Sequence, residues 1–186
     1  IKGDYEFPYP LFFTLAKGIA LIAGAPLGVA AATALLNACA VCAARYYMGI
    51  QVREGLDIGT WSAGKRRALE LTVTGMVFVL FLLGNLYSPK NTAFFGFDYA
   101  YRCMGIYTPN PIWNATYLAV RPFTIICFFE AAKLLKSYQE EFSWKGCIPY
   151  ALSLFLVTIT KPAYTMVLVP LMGGVLLADL VKSRGR

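Results

Sequence analysis

The sequence predicts an all-α, polytopic transmembrane helix bundle of about five spans plus one interfacial juxtamembrane helix, with residues 1–186 forming a single transmembrane domain. Three observations carry that expectation. The chain is 58% hydrophobic and only 15% charged, where soluble domains carry about 25% charged residues. Apolar runs recur at the ~20-residue length that crosses a ~30 Å hydrocarbon core. Lys and Arg gather in alternate connections, which is the pattern of a chain sorted by the positive-inside rule.

Taken in order, the spans read as about 28–47, 69–88, 116–136, 145–160 and 163–181. The fourth contains Pro149, and Pro162 separates it from the fifth. Residues 11–24 are apolar but too short to span, and "GAPLG" closes them. That segment reads as interfacial or re-entrant. Residues 45–67 carry Arg45, Arg53, Lys65, Arg66 and Arg67; residues 133–145 carry Lys133, Lys136 and Lys145; the tail carries Lys182, Arg184 and Arg186. These three regions are assigned to the cytoplasm. By alternation, residues 1–27, the loop 89–115 and the "TKPAY" turn face outward, placing the chain as a multi-pass protein of the plasma membrane. The chain opens on "IKGDYEFPYP", with no Met and no signal-peptide pattern, and so reads as a fragment of a longer protein.

Composition also excludes functions. The net charge is +7, but its basic residues are dispersed between spans, with only Lys65-Arg66-Arg67 clustered. Nucleic-acid binding is therefore not expected. There is no His, which removes Ser-His and Cys-His nucleophile pairs, and no Gly-rich phosphate loop. Of the five Cys, Cys39 and Cys42 form a C-x-x-C within an Ala- and Leu-rich helix. Without a second C-x-x-C or any His, packing of small residues is the better reading than a metal site. Glu130 and Lys133, three residues apart near the cytoplasmic end of the third span, are expected to pair with each other.

Four outer-face features offer chemistry. Asp4 and Glu6 flank Tyr5 just before "FPYPLFF". Such carboxylates serve as general bases or hold a divalent cation, and a solvated loop is the plainer alternative. The loop before the third span combines amides, charges and aromatics: Asn85, Asn91, Asp98, Arg102, Asn110, Trp113, Asn114 and Tyr117. That mixture suits a sugar, which presents hydroxyls and an apolar face, although Asn and Pro also simply make turns. Asn114-Ala115-Thr116 is a formal glycosylation sequon, but it abuts the span. Arg121 lies about one turn inside the third span. An intramembrane ionisable residue is a functional candidate by default, and Arg matches phosphate; the alternative is snorkelling to the headgroups. Lys161 sits in "TITKPAYTM" between two spans that are short together, so the turn is expected to lie below the outer surface and to offer a cation to a lipid phosphate.

Two acids followed by "FPYPLFFTLAKGIALIAGAPLGVAAATALLNACAVCAARYYMG" (7–49) resemble the opening of the GT-C membrane glycosyltransferases. There an acidic outer loop precedes a Pro-Leu-aromatic juxtamembrane helix and a span ending in Arg-aromatic residues. "NPIWNATYLAVRPF" (110–123) and "TKPAYTMVLVPL" (160–171) resemble segments of bacterial polytopic proteins grouped with those enzymes. Where their loop reads N-P-x-x-W-H-N-P-T, this chain has Ile112-Trp113-Asn114-Ala115-Thr116, lacking the His and the second Pro. The resemblance covers most of the chain through short, degenerate motifs, and in that superfamily a first span would precede Ile1.

The resemblance implies transfer of a sugar from a polyprenyl-phosphate-linked donor to a sugar or lipid-linked acceptor at the outer face. Asp4 or Glu6 would deprotonate the acceptor, and Arg121 and Lys161 would hold the donor phosphate. Asp98, Arg102, Asn110, Trp113, Asn114 and Tyr117 would contact acceptor or sugar. No cofactor is implied beyond the option of a divalent cation on the acids. An outer-face polysaccharide polymerase or ligase of another family, and a non-catalytic transporter-like membrane protein, stand as alternatives.

Overall fold

A computed structural model of the chain describes residues 10–56, 58–86, 115–139 and 143–183, with no side chain described for 82–86 or 115. Among the described residues there are six helices and no strand. They are α1 (Pro10–Ala23), α2 (Ala25–Gly55), α3 (Ala63–Leu86), α4 (Ala115–Ser137), α5 (Trp144–Thr160) and α6 (Ala163–Lys182). The described residues are all-α, as the sequence predicts.

α1 and α2 form a hairpin with a single residue between them. Gly24 makes the reversal at φ 83°, ψ 158°, a backbone region in which any Cβ is strained. Pro26 then occupies the first turn of α2, where a missing N–H costs nothing. The two helices meet at Gly28, where a Cβ would lie 2.7 Å from the Ala16 carbonyl oxygen and 2.8 Å from Ala20 Cα. From Gly28 the buried edge of α2 continues through Ala32, Leu36, Ala40 and Ala44, one residue per turn. Phe12, Ala16, Ala32, Leu36 and Ala119 pack there as one core, joining α1, α2 and α4. α2 thus packs through small residues, but not through the C-x-x-C at which the sequence predicts that packing. Cys39 and Cys42 take no part in it, because the 3.6-residue period turns both to the exposed side.

α2 continues well past residue 47, where the predicted span ends. Its polar extension is held by charge: Glu70 of α3 accepts from Arg45 at 2.6 Å and from Arg53 at 2.5 Å. Arg45 Nε also donates to Thr74 Oγ1 at 2.9 Å. These contacts pair α2 and α3 antiparallel. α2 and α4 run parallel, since Arg121 meets Asn37 and Glu130 meets Tyr47. The register between them is 84 residues at the first contact and 83 at the second. α5 returns antiparallel to α4, and α6 folds back on α5 through a Thr158–Thr165 hydroxyl pair at 2.9 Å. Cys127 and Ala131 of α4, Val157 of α5, and Leu168 and Met172 of α6 form the second core. Beyond the α4 C-terminus, Tyr138 donates to Asp179 Oδ2 at 2.6 Å. That bond raises the Tyr138 phenol above its ordinary value and ties the far ends of α4 and α6 together.

Two helices are long and apolar enough to cross a membrane among the described residues, α2 and α6, while α1 and α5 are shorter apolar helices. α4 does not qualify by composition, because Arg121, Glu130 and Lys133 interrupt its apolar run. Only 28% of the apolar stretch of α2 is buried, and 11% of that of α6. A soluble core helix is mostly buried; here Val167, Leu171 and Leu177 of α6 and Ile148, Leu152 and Phe155 of α5 lie exposed. Apolar exposure on that scale calls for an apolar surrounding.

The hairpin yields a stability test. Gly28→Ala must separate two backbones, and overpacking of this kind costs about 1–3 kcal/mol. Gly24→Ala imposes a strained backbone of about 1–3 kcal/mol. Unfolding in mixed detergent micelles should show both losses, while Gly18→Ala, where a Cβ meets open space, should stabilise or be neutral.

Candidate functional site

α4 begins at Ala115 and presents three chemically distinct side chains in its first two turns: Thr116, Tyr117 and Arg121. Tyr117 and Arg121 are four residues apart and so lie on one side of the helix, about 6 Å apart along its axis. Pro122 follows at once. It has no N–H to give the carbonyl of Leu118, so a polar backbone oxygen is released close to the two side chains.

Lys161 reaches the same end of α4 from the α5–α6 turn. The α5 helix stops there because Pro162 disfavours the helical conformation for the residue before it, and Lys161 is extended at φ −164°, ψ 107°. Its N–H still closes the last turn, donating to the Val157 carbonyl at 2.7 Å. The side chain is 8% exposed. Its Nζ stands 3.1 Å from the centroid of the Tyr117 ring and 3.5 Å from Thr116 Oγ1. An ammonium over an aromatic face is attracted by the ring quadrupole, more strongly where water is excluded.

Arg121, one turn further along α4, reaches α2 and α3 rather than Lys161. Its guanidinium lies 5.6 Å from the centroid of the Phe81 ring, and Nη1 donates to Asn37 Oδ1 at 3.5 Å. That bond is at the long limit for a hydrogen bond. A guanidinium has five N–H donors, so four of them have no hydrogen-bond partner among the described residues. The contrast with the other end is plain: Arg45 and Arg53 share a carboxylate, whereas Arg121 has an amide and a ring.

Of the residues singled out from sequence, Lys161 and Tyr117 are in contact, and Arg121 lies one turn further along α4 with Asn37 and Phe81 as its neighbours. Asp4, Glu6, Asp98, Arg102, Asn110, Trp113 and Asn114 lie outside the described residues. Sequence reasoning missed Asn37, Phe81 and Thr116. Asn37 had a signal, as a lone amide in the Ala- and Leu-rich α2; Phe81 had none, being one aromatic among several in an apolar run. The expected Glu130–Lys133 pair is replaced by a longer-range contact: Tyr47 donates to Glu130 Oε1 at 2.8 Å. Among the described residues, no group of three His, Cys, Asp or Glu side chains is placed to hold a metal ion.

The Lys161–Tyr117 contact is testable by stability. Tyr117→Phe keeps the π-face and should unfold like the wild type. Tyr117→Leu should lose about 0.5–2 kcal/mol, measured by unfolding in mixed micelles; equal losses in both variants would assign the effect to the hydroxyl instead. Comparison of the chain with protein-family models, curated proteins and solved structures returns no match.

Proposed function

We propose that this chain is part of a multi-pass plasma-membrane glycosyltransferase that takes a sugar from a polyprenyl-phosphate donor at the outer face. The observation that carries the reading is Arg121: a half-buried guanidinium at the mouth of an apolar bundle, with one long hydrogen bond and no carboxylate among the described residues. Lys161 supplies a second cation at the same helix end. A lipid phosphate is the anion that arrives at such a depth, with its chain in the bilayer and its sugar toward water.

The remaining spans follow from the antiparallel returns. If α2 and α6 cross, then α4 and α5, which link them side by side, and α3, which packs antiparallel on α2, cross with them. This gives about five spans, with α1 lying against α2 from the outer side. The Arg45–Glu70–Arg53 cluster and Lys133, Lys136 and Lys182 then fall on the cytoplasmic side. Loop 89–115 falls outside.

The chemistry assigned is displacement at the sugar anomeric carbon. A carboxylate, Asp4 or Glu6, takes the proton of the acceptor hydroxyl. The hydroxyl oxygen bonds the anomeric carbon as the bond from that carbon to the phosphate oxygen breaks. The electron pair leaves on polyprenyl phosphate, where Arg121 and Lys161 meet the added charge. Tyr117, with Asp98, Arg102, Asn110, Trp113 and Asn114 of the outer loop, borders the sugar and acceptor.

Three measurements test this. In a Cys-free background, a membrane-impermeant thiol reagent should label a Cys at position 98 from outside and one at position 60 only after permeabilisation; the opposite pattern removes the outer-face site. Donor titration should show Arg121→Ala or Lys161→Ala raising the dissociation constant about 10- to 150-fold, the loss of one charge-assisted contact. Arg121→Lys should recover only part, because an ammonium lacks the planar fork; a silent Arg121→Lys with unchanged donor affinity in the Ala variants would reduce both residues to membrane anchors. Asp4→Asn or Glu6→Gln should slow sugar transfer about 10²–10⁴-fold. Indispensable arginines with dispensable acids would favour a polymerase or ligase of another family.

A further inference from the structure

A groove of about 670 Å³ opens between α2 and α4 at the end opposite Arg121 and Lys161. Its size is that of a small-molecule site. The floor is stacked and pinned: the Tyr47 and Phe129 rings lie parallel at 4.9 Å, and the Tyr47 hydroxyl is bonded to Glu130. Along its length the lining changes character. Tyr46 and Phe128, both more than half exposed, stand at one end. Lys133, Lys136, Gln51 and Glu54 line the other.

The parallel register of α2 and α4 sets the levels. With an offset of 83 to 84 residues, Tyr46 stands level with Phe129, Ile50 with Lys133, and Glu54 with Ser137. From Phe128 to Lys136 the groove climbs about 12 Å along α4. It therefore passes from aromatic wall, to cation, to cation facing carboxylate.

We propose that this groove binds a zwitterionic phospholipid of the cytoplasmic leaflet with a primary ammonium, of the phosphatidylethanolamine type. An acyl chain lies along Phe128 and Tyr46, the phosphate meets Lys133 and Lys136, and the ammonium faces Glu54, which stands one turn beyond Lys133. Charge complementarity selects this occupant. The lining holds two lysines and two glutamates, so it carries no net charge. Glu130 is engaged by Tyr47, which leaves two cations for a phosphate and one carboxylate for an ammonium. An anionic headgroup would set a like charge against Glu54. A choline headgroup has no N–H to donate to that carboxylate. The proposal needs the membrane placement but not sugar transfer.

The test uses the full chain, purified in mild detergent and incubated with phosphatidylethanolamine, phosphatidylglycerol or phosphatidylcholine of matched chains, with bound lipid counted by native mass spectrometry. Phosphatidylethanolamine should be retained preferentially. The double variant Lys133→Gln/Lys136→Gln should bind it about 10- to 30-fold more weakly. Glu54→Gln should lower retention of phosphatidylethanolamine and raise that of phosphatidylglycerol. Equal retention of all three lipids by the wild type, or a preference for phosphatidylglycerol, overturns the assignment; so does a lysine double variant that binds as the wild type does. The wild-type ranking stands on its own if a variant fails to fold.

Discussion

The close approach of α1 and α4 to the small-residue edge of α2 sets the position of every group discussed above. A helix that buries Gly28, Ala32 and Ala40 lets neighbouring backbones come nearer than Leu or Phe would allow. In a bilayer that matters more than in water. Lipid tails solvate Leu as well as another helix does, so association relies on close packing and on polar contacts between helices. Phe12 and Ala16 fill the edge from α1, and Ala119 from α4. Because α4 is held there and runs parallel to α2, Arg121 falls beside Asn37 and Glu130 beside Tyr47. The two polar contacts then lock the register that the packing allows.

That register gives the bundle two unlike ends. At the C-terminal end of α2, cations are answered by an acid: Glu70 sits between Arg45 and Arg53, eight residues apart on one helix. This is a structural use of charge, which ties α3 to α2 where the helices leave the apolar region. At the N-terminal end of α4 the neighbours of the cations are different. Phe81 and Asn37 attend Arg121, and Tyr117 and Thr116 attend Lys161. An aromatic face and an amide oxygen orient Arg121 without cancelling its charge, which is the condition the proposed anion site asks of a cation.

Much of the helical layout was legible in the sequence. The predicted spans at 116–136, 145–160 and 163–181 lie within a residue or two of α4, α5 and α6, because each is bounded by Pro, by a polar run or by charge. The short segment at 11–24 was marked by its length and by "GAPLG", and Gly24 proves to be the reversal point. The extension of α2 to Gly55 was not legible: residues 48–55 look like a solvated loop until Glu70 arrives from α3. The pairing of Glu130 was misread for the same reason. A local partner three residues away competes with Tyr47, 83 residues away, and only the parallel packing of α2 and α4 decides between them. Arg121, Lys161 and Tyr117 could each be named from position alone. That Lys161 meets Tyr117 depends on the α5–α6 turn reaching the head of α4, and no spacing in the sequence encodes that.

The turn itself shows how little freedom the chain has there. α5 ends at Thr160 and α6 begins at Ala163, leaving only Lys161 and Pro162 between them, so Lys161 has no loop in which to relocate. Thr160 is fully buried with its hydroxyl on the Leu156 carbonyl, which anchors the backbone on one side. The Thr158–Thr165 hydroxyl pair closes the hairpin on the other. A lysine so placed cannot snorkel by moving its backbone; only its four-carbon stem can move, and that stem already ends on the Tyr117 ring. The rigidity is directional: the ammonium is held at the mouth of α4 whether or not an anion is present. A cation pre-placed in this way loses little freedom on binding, which is the condition under which a single ion contact contributes its full affinity.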